Sequence, residues 1–265
     1  MTPFEEILIR IEEGLEAAKE IFAGFEPGET AFRFKQGDDP LTEADEAVDR
    51  ALREILPSKD EGWLSEETAD SPERLSRSDV WIVDPLDGTR EFVTGVPEWC
   101  VSIGFVRNGE AVAGGIHNPA TNQTVVGARG LGVTYNGVPA EASQLDHLSG
   151  ARITASRSEI KRGEWDRFEG EAFEVVPCGS VAYKLGLVAS NECDATWTLV
   201  PKHEWDVAAG AALVLAAGGC VFNKDGTPVV FNQPRPKLTG MIATGPNLAN
   251  PIADFLGIRL ANGVC

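Results

Sequence analysis

With 265 residues, 43% of them hydrophobic, the chain is long enough to bury one large core or two closely joined ones. A formal charge of −18 excludes the basic surfaces that nucleic-acid polymers and anionic membranes select, and no apolar run approaches the roughly 18 residues of a membrane span. The 5 cysteines (Cys100, Cys178, Cys193, Cys220, Cys265) are odd in number, widely spaced and free of any C-x-x-C pair, so the sequence indicates neither a disulfide framework nor a zinc site. A reducing, cytoplasmic setting is expected for a chain with no basic, apolar leader.

Phe4, Ile7, Leu8, Ile11, Leu15, Ala18 and Phe22 recur at three- and four-residue steps among Glu, Lys and Arg, which predicts an amphipathic helix ended by Gly24 and Pro27-Gly28. A hairpin is expected around Phe32 and Phe34. The polar segment from Lys35 then leads to Thr42-x-x-Asp45, which opens a second helix with Val48, Ala51, Leu52, Ile55 and Leu56 on one face. Thr42 and Asp45 have the spacing of a capping box, a purely structural role for this aspartate. Gly62-Trp-Leu-Ser-Glu66-Glu67 is a short apolar step before two acids, which without further context would be a solvated pair.

Trp81-Ile-Val-Asp84-Pro-Leu-Asp87-Gly88-Thr89-Arg-Glu-Phe92 reads as a strand running into a turn that fixes two carboxylates close together. Pro, Asp and Gly are ordinary turn residues. The same stretch also offers oxygen ligands for a hard cation at Asp84 and Asp87, and main-chain N–H groups at Gly88-Thr89 for a phosphate. Strands follow at Val101 to Val106 and Ala111 to Ile116, joined by an Asn-Gly turn, with further β segments near Thr124 to Val126 and a second hairpin-like run through Asn136-Gly137. The polar stretch Glu141 to Gly150 divides the chain into an expected N-terminal α+β unit, 1–145, and a C-terminal α/β unit, 146–265. In the second unit, strands are expected near Ile153, Phe173 to Val176 and Ala195 to Leu199, with a helix over Val181 to Ala189. Asp206 stands at the start of an Ala-, Leu- and Val-rich helix that ends at Gly218-Gly219, where an N-cap is the structural reading. His117 and His203 have no partner at ligand spacing.

In order along the chain, Thr42-x-x-Asp45, Glu66-Glu67, Trp81 to Thr94 and Trp205-Asp-x-Ala-Ala-Gly210 through Gly218-Gly219 resemble the inositol monophosphatase superfamily. That superfamily includes inositol monophosphatases, fructose-1,6-bisphosphatases and 3′(2′),5′-bisphosphate nucleotidases. The resemblance implies an α/β (α+β) fold, a layered αβαβα sandwich with the active site between its halves, and a homodimer. It implies a phosphomonoesterase acting by direct in-line attack of a water activated by two or three Mg²⁺ ions, with sensitivity to Li⁺. Glu66, Asp84, the Leu86 carbonyl, Asp87 and Asp206 are the implied metal ligands. Asp45 and Thr89 orient or deprotonate the water, with Glu66 assisting. Gly88, Thr89, Ser180, Lys184 and Asp206 are the implied substrate contacts, Lys35 lies where the family often carries a lysine, and Glu67 and Glu91 have no assigned role.

The substrate is expected to be a small phosphorylated metabolite. Arg90-Glu91-Phe92, Lys184 and Pro201 with Glu204-Trp205-Asp206 lean toward a nucleotidase that cleaves 3′-phosphoadenosine 5′-phosphate to AMP. Gly95-Val-Pro97, Val101-Ser-Ile-Gly and Asn118-Pro119 look more like inositol-1-monophosphatases, and fructose-1,6-bisphosphatase or histidinol-phosphatase activity is a further alternative. Leu199 departs from both patterns, since it offers neither an acid for sugar hydroxyls nor a base for a second phosphate. A catalytically silent, metal-binding regulator would be expected to lack an acid or Thr89. No Gly-x-Gly-x-x-Gly supports a dinucleotide-dependent oxidoreductase.

Overall fold

The protein is described by a computed structural model over residues 3–34 and 40–264, which leaves Lys35 outside the described residues. The first helix, α1 (Pro3–Phe22), buries Ile7, Ile11, Leu15, Ala18 and Phe22, the stripe expected from their spacing. A short antiparallel ribbon of β1 (Phe32–Phe34) and β2 (Pro40–Thr42) then enters α2 (Glu43–Ile55). Both helices pack on one face of a seven-stranded sheet and share a core with its strands.

That sheet runs in sequence order: β3 (Gly62–Ser65), β4 (Asp79–Asp87), β5 (Cys100–Arg107), β6 (Glu110–Asn118), β7 (Gln123–Ala128), β8 (Gly132–Tyr135) and β9 (Val138–Ala140). Only β3 and β4 are parallel; every later pair is antiparallel. The short helix α3 (Thr89–Val93) lies between β4 and β5. Asn108-Gly109 and Asn136-Gly137 both take positive φ, as hairpin turns of this type require, and they fix the register of the strands they join.

The second sheet has the order β11 (Glu174–Cys178), β10 (Arg152–Ser156), β12 (Ala195–Thr198), β16 (Met241–Thr244), β14 (Cys220–Asn223). Helix α4 (Arg157–Lys161) follows β10, and α5 (Val181–Ala189) follows β11. The pair β13 (Lys202–His203) and β15 (Lys237–Leu238) stands apart, with β13 leading into α6 (Glu204–Ala216). The last helix is α7 (Ala249–Leu256).

Helices α5 and α6 lie between the two sheets, where Leu185, Val207, Leu213 and Met241 share one core. On the far face of the second sheet, Trp165, Phe168, Phe173 and Trp197 pack with Ile252 and the partly buried Phe255. The sequence of layers is therefore αβαβα. Helix α6 comes unusually close to the first sheet because β6 carries glycine: a Cβ at Gly114 would sit 2.4 Å from the Ala209 carbonyl oxygen. Small residues on both surfaces bring the start of α6, and with it Asp206, onto the ends of β4 and β5.

Two readings of the sequence are corrected. The strand expected at Trp81 to Val83 continues to Asp87, and the residues expected to form a turn form a register shift opposite Ser102 and Cys100 instead. Cys100, Cys178 and Cys193 are free and buried, but Cys220 is disulfide-bonded, against the reading of no disulfide. Among the described residues no helix is long and apolar enough to cross a membrane.

Candidate active site

The irregularity in β4 builds the centre of the site. A bulge inserts residues into one strand and re-aims the side chains that flank it. Here it separates Asp84, paired with Ser102, from Asp87, paired with Cys100. Asp84 is buried, and its Oδ1 accepts the Leu86 N–H at 3.0 Å, which fixes the carboxylate within its own bulge. Parallel pairing of Ser65 with Val83 then carries the chain leaving β3 past Asp84, and the Glu66 N–H donates to the Val83 carbonyl at 3.3 Å.

Glu66, Asp84 and Asp206 thus converge from three elements: each offers a carboxylate oxygen, and these oxygens lie within 4.8 Å of one another. Burial, followed by the charges of Glu66, Asp87 and Asp206, pushes Asp84 well above the ordinary carboxylate range. Asp206 is pushed up strongly as well, by burial first and then by Asp87 and Glu66. Asp87 is raised by burial, while hydrogen bonds from Ser180 and Ala182 hold it down. Like charges in such proximity oppose one another's ionisation. Clustered carboxylates are the hard oxygen donors that Mg²⁺ takes, so the residues present fit a divalent cation.

Asp45 and Asp206 are held in the same way. Each is the third residue of its helix and uses one oxygen to cap the helix start. Asp45 Oδ2 accepts the Thr42 N–H at 2.8 Å and the Thr42 hydroxyl at 2.5 Å, while Asp206 Oδ2 accepts the His203 N–H at 2.9 Å. The caps are compatible with a role in the site, because each uses one oxygen of the carboxylate and fixes the other in place. Asp45 Oδ1 faces the Thr89 hydroxyl at 3.2 Å, and that hydroxyl also lies 2.9 Å from the Leu86 carbonyl oxygen. Gly88, at φ 97, turns β4 into α3; a Cβ there would come within 3.0 Å of the Glu98 carbonyl oxygen.

Across from β4, Asp87 Oδ2 accepts the Ser180 hydroxyl at 2.6 Å and the Ala182 N–H at 2.5 Å. Ser180 therefore touches the acid cluster through Asp87. Lys184, expected to meet a second phosphate, is placed elsewhere. It is 4% exposed, and its Nζ donates to the carbonyls of Ser180, Cys178 and Gly179. Leu199 is half-buried beside the aromatic cluster of the outer layer. His117 is buried with Nδ1 2.8 Å from the Thr124 hydroxyl, and the His203 ring stacks on Trp205 at 4.3 Å.

Two supporting residues are not evident in the sequence. Asp49, one turn after Asp45 on α2, accepts the Ser65 hydroxyl at 2.5 Å and the Thr68 hydroxyl at 2.6 Å, so it pins the loop that carries Glu66 and Glu67. Its only sequence signal is an acid four residues beyond Asp45, which reads equally as a solvated helix face. Glu98 accepts a two-pronged bond from Arg157 at 2.5 and 2.6 Å and the Gly179 N–H at 2.6 Å, joining the first sheet's side of the site to the second's. Burial raises Glu91, whose side chain packs on Gly179.

Fold and acid cluster together define a layered α/β enzyme with a carboxylate site suited to a divalent cation. The profile of the Inositol monophosphatase family matches residues 5–251. A fructose-1,6-bisphosphatase/inositol-1-monophosphatase of Thermotoga maritima is 33% identical over 198 residues, covering 71% of this chain and 73% of that one. A 3′(2′),5′-bisphosphate nucleotidase CysQ of Aggregatibacter actinomycetemcomitans is 30% identical over 217 residues, covering 76% and 78%. The solved structure of an inositol monophosphatase from Anabaena superposes with a TM-score of 0.80 at 26% identity over 97% of this chain and 98% of that one. The chain belongs to the inositol monophosphatase family. It is a phosphatase that hydrolyses phosphomonoesters, in a family whose members depend on metal.

Proposed function

We propose that the protein is a Mg²⁺-dependent phosphomonoesterase in which Glu66, Asp84, the Leu86 carbonyl, Asp87 and Asp206 hold the metal and a water attacks the phosphorus directly. The observation that carries this reading is the approach of carboxylate oxygens from Glu66, Asp84 and Asp206 to within 4.8 Å. When bound, Mg²⁺ supplies positive charge to the phosphoryl oxygens and acidifies water. The protein's part is orientation and proton handling. Thr89 Oγ1 accepts a hydrogen bond from the attacking water, and its own proton is directed to Asp45 Oδ1. The main chain at Gly88 and Thr89 lines the phosphate's place.

Replacing Thr89 by alanine removes the link between water and Asp45 while leaving the carboxylates intact. The expected result is a fall in kcat of about 100-fold, the lower range for general acid–base groups, with the Mg²⁺-induced rise in melting temperature retained. An unchanged kcat would remove Thr89 and Asp45 from the proton path.

For the substrate, we rank a singly phosphorylated polyol such as inositol 1-phosphate first. Lys184 is one of the three features that lean toward a bisphosphorylated nucleotide, and an ammonium whose three N–H groups meet main-chain carbonyls has none to spare for a second phosphate. Cleavage of 3′-phosphoadenosine 5′-phosphate stays as a second reading, favoured by Glu204-Trp205-Asp206 and by the extent of similarity to the CysQ nucleotidase. Phosphate release from inositol 1-phosphate, fructose 1,6-bisphosphate, histidinol phosphate and 3′-phosphoadenosine 5′-phosphate, each with and without Mg²⁺, decides between them. The highest kcat/KM is expected on inositol 1-phosphate. A clear preference for the nucleotide reverses the ranking, and no release from any of the four counts against the enzymatic site as drawn.

A further inference from the structure

We infer that Lys184 is a positioning residue: its ammonium holds the turn before α5 in the conformation that lets Ser180 and Ala182 hydrogen-bond to Asp87. The inference rests on Asp87 being a metal ligand. Ser180 sits at φ 50 and ψ 130, a backbone state that residues with a Cβ rarely adopt and that persists only where its surroundings enforce it. The strained state is useful because of what it aims. From it the Ser180 hydroxyl donates to Asp87 Oδ2 at 2.6 Å and accepts the Tyr183 N–H at 3.0 Å, and the Ala182 N–H reaches the same Asp87 oxygen at 2.5 Å. Asp87 Oδ2 is thereby occupied by the protein. Oδ1 is left to turn toward the other carboxylates.

Two groups enforce the turn. From the helix side, Lys184 Nζ gathers three successive carbonyls, Ser180 at 2.6 Å and Cys178 and Gly179 at 3.4 Å. An ammonium has three donors and no acceptor, so three oxygens complete its set. From the other side, Glu98, itself clamped by Arg157, takes the Gly179 N–H at 2.6 Å. Removing the ammonium leaves three buried carbonyls crowded together with nothing between them. The turn then relaxes toward negative φ, and the Ser180 hydroxyl leaves Asp87. A lysine serving as a phosphate contact would instead direct donors into the cleft.

The test is Mg²⁺ titration of the full-length wild-type, Lys184→Met and Lys184→Arg proteins, read by melting temperature, alongside KM for inositol 1-phosphate at saturating Mg²⁺. Residues that orient a ligand typically alter metal affinity by about 10- to 100-fold, so the half-saturating Mg²⁺ concentration is expected to rise at least tenfold in Lys184→Met. Lys184→Arg should fall between that variant and the wild type, and KM should change little in either. An unchanged half-saturation with a raised KM overturns the inference and returns Lys184 to the substrate. A wild type that shows no Mg²⁺ shift at all removes the metal reading of Asp87, which is a separate failure. Where Lys184→Met does not fold, acetylation of the wild-type protein decides: Lys184 should resist acetic anhydride with or without inorganic phosphate, and labelling that phosphate suppresses would place it in the cleft.

Discussion

Replacing Asp84 by asparagine is expected to lower phosphatase activity by about a thousandfold, on the scale of losing a central electrostatic group, while raising the melting temperature of the metal-free protein. The two effects have one cause. Asp84 is 1% exposed and faces the charges of Glu66, Asp87 and Asp206, so without metal its carboxylate is a buried like-charge burden on the fold. Asparagine keeps an oxygen for the Leu86 N–H, now 3.0 Å from Asp84 Oδ1, and so retains the local bulge while deleting the charge. Relief of about 1 kcal/mol corresponds to roughly 2–4 °C in a chain of this size. The Mg²⁺-induced rise in melting temperature should be lost in the same variant. Retained activity would take Asp84 out of the reaction, and a metal-free variant less stable than the wild type would show that repulsion is not what Asp84 contributes.

The sequence carries much of this arrangement, though unevenly. Periodicity located α1 and α2 because each has one buried face, and the Asn-Gly turns marked the β5–β6 and β8–β9 hairpins because few other dipeptides accept two positive φ values. The stretch from Asp84 to Asp87 is less legible. Its Pro, Asp and Gly are turn residues by local preference, but pairing with β5 keeps the chain in the sheet and turns the expected bend into a bulge. Glu66 is marked by its place in a family pattern, since an acidic pair after a short strand has no distinctive local signal. What makes it part of the site is the parallel register of β3 on β4, which a single sequence does not encode locally. Lys184 shows the opposite limit. A lysine on a helix facing a phosphate site suggests a phosphate contact, and only the positive φ of Ser180 and the three converging carbonyls show where its donors go. Asp49 and Glu98 act through hydroxyls and main-chain N–H groups distant in sequence, so no short motif reports them.

The metal-free protein should become less stable as pH rises from about 7 to 8.5, and Mg²⁺ should reverse the part of that loss that belongs to its own ligands. Asp84, Asp87 and Asp206 all have folded-state pKa values above their ordinary ones, and burial brings Glu204 to about 7. A carboxyl raised in this way contributes stability that is complete below its unfolded pKa and lost as pH rises through its folded one. For Glu204, moving from the ordinary 4.5 to about 7, that loss is on the order of 3 kcal/mol, opposed in the structure by the Asn232 and Gln233 N–H groups and by Arg74. His117 has the opposite sign: burial lowers its pKa below 6.5, so its contribution improves with pH but is complete by about 7. Glu159, held down by Lys202 and Thr198, changes its contribution only in acid, below the ordinary 4.5. The interval above about 7 therefore isolates the raised carboxyls. Mg²⁺ binds the ionised forms of Asp84, Asp87 and Asp206 but not that of Glu204, whose oxygens are held by Asn232 and Gln233, so its stabilisation should grow with pH; at 100 times its dissociation constant it reaches about 2.7 kcal/mol. Melting curves in EDTA and in millimolar Mg²⁺ at half-unit steps of pH measure both trends. Parallel curves, with the same Mg²⁺ increment at every pH, would mean that the cation binds somewhere other than these carboxylates.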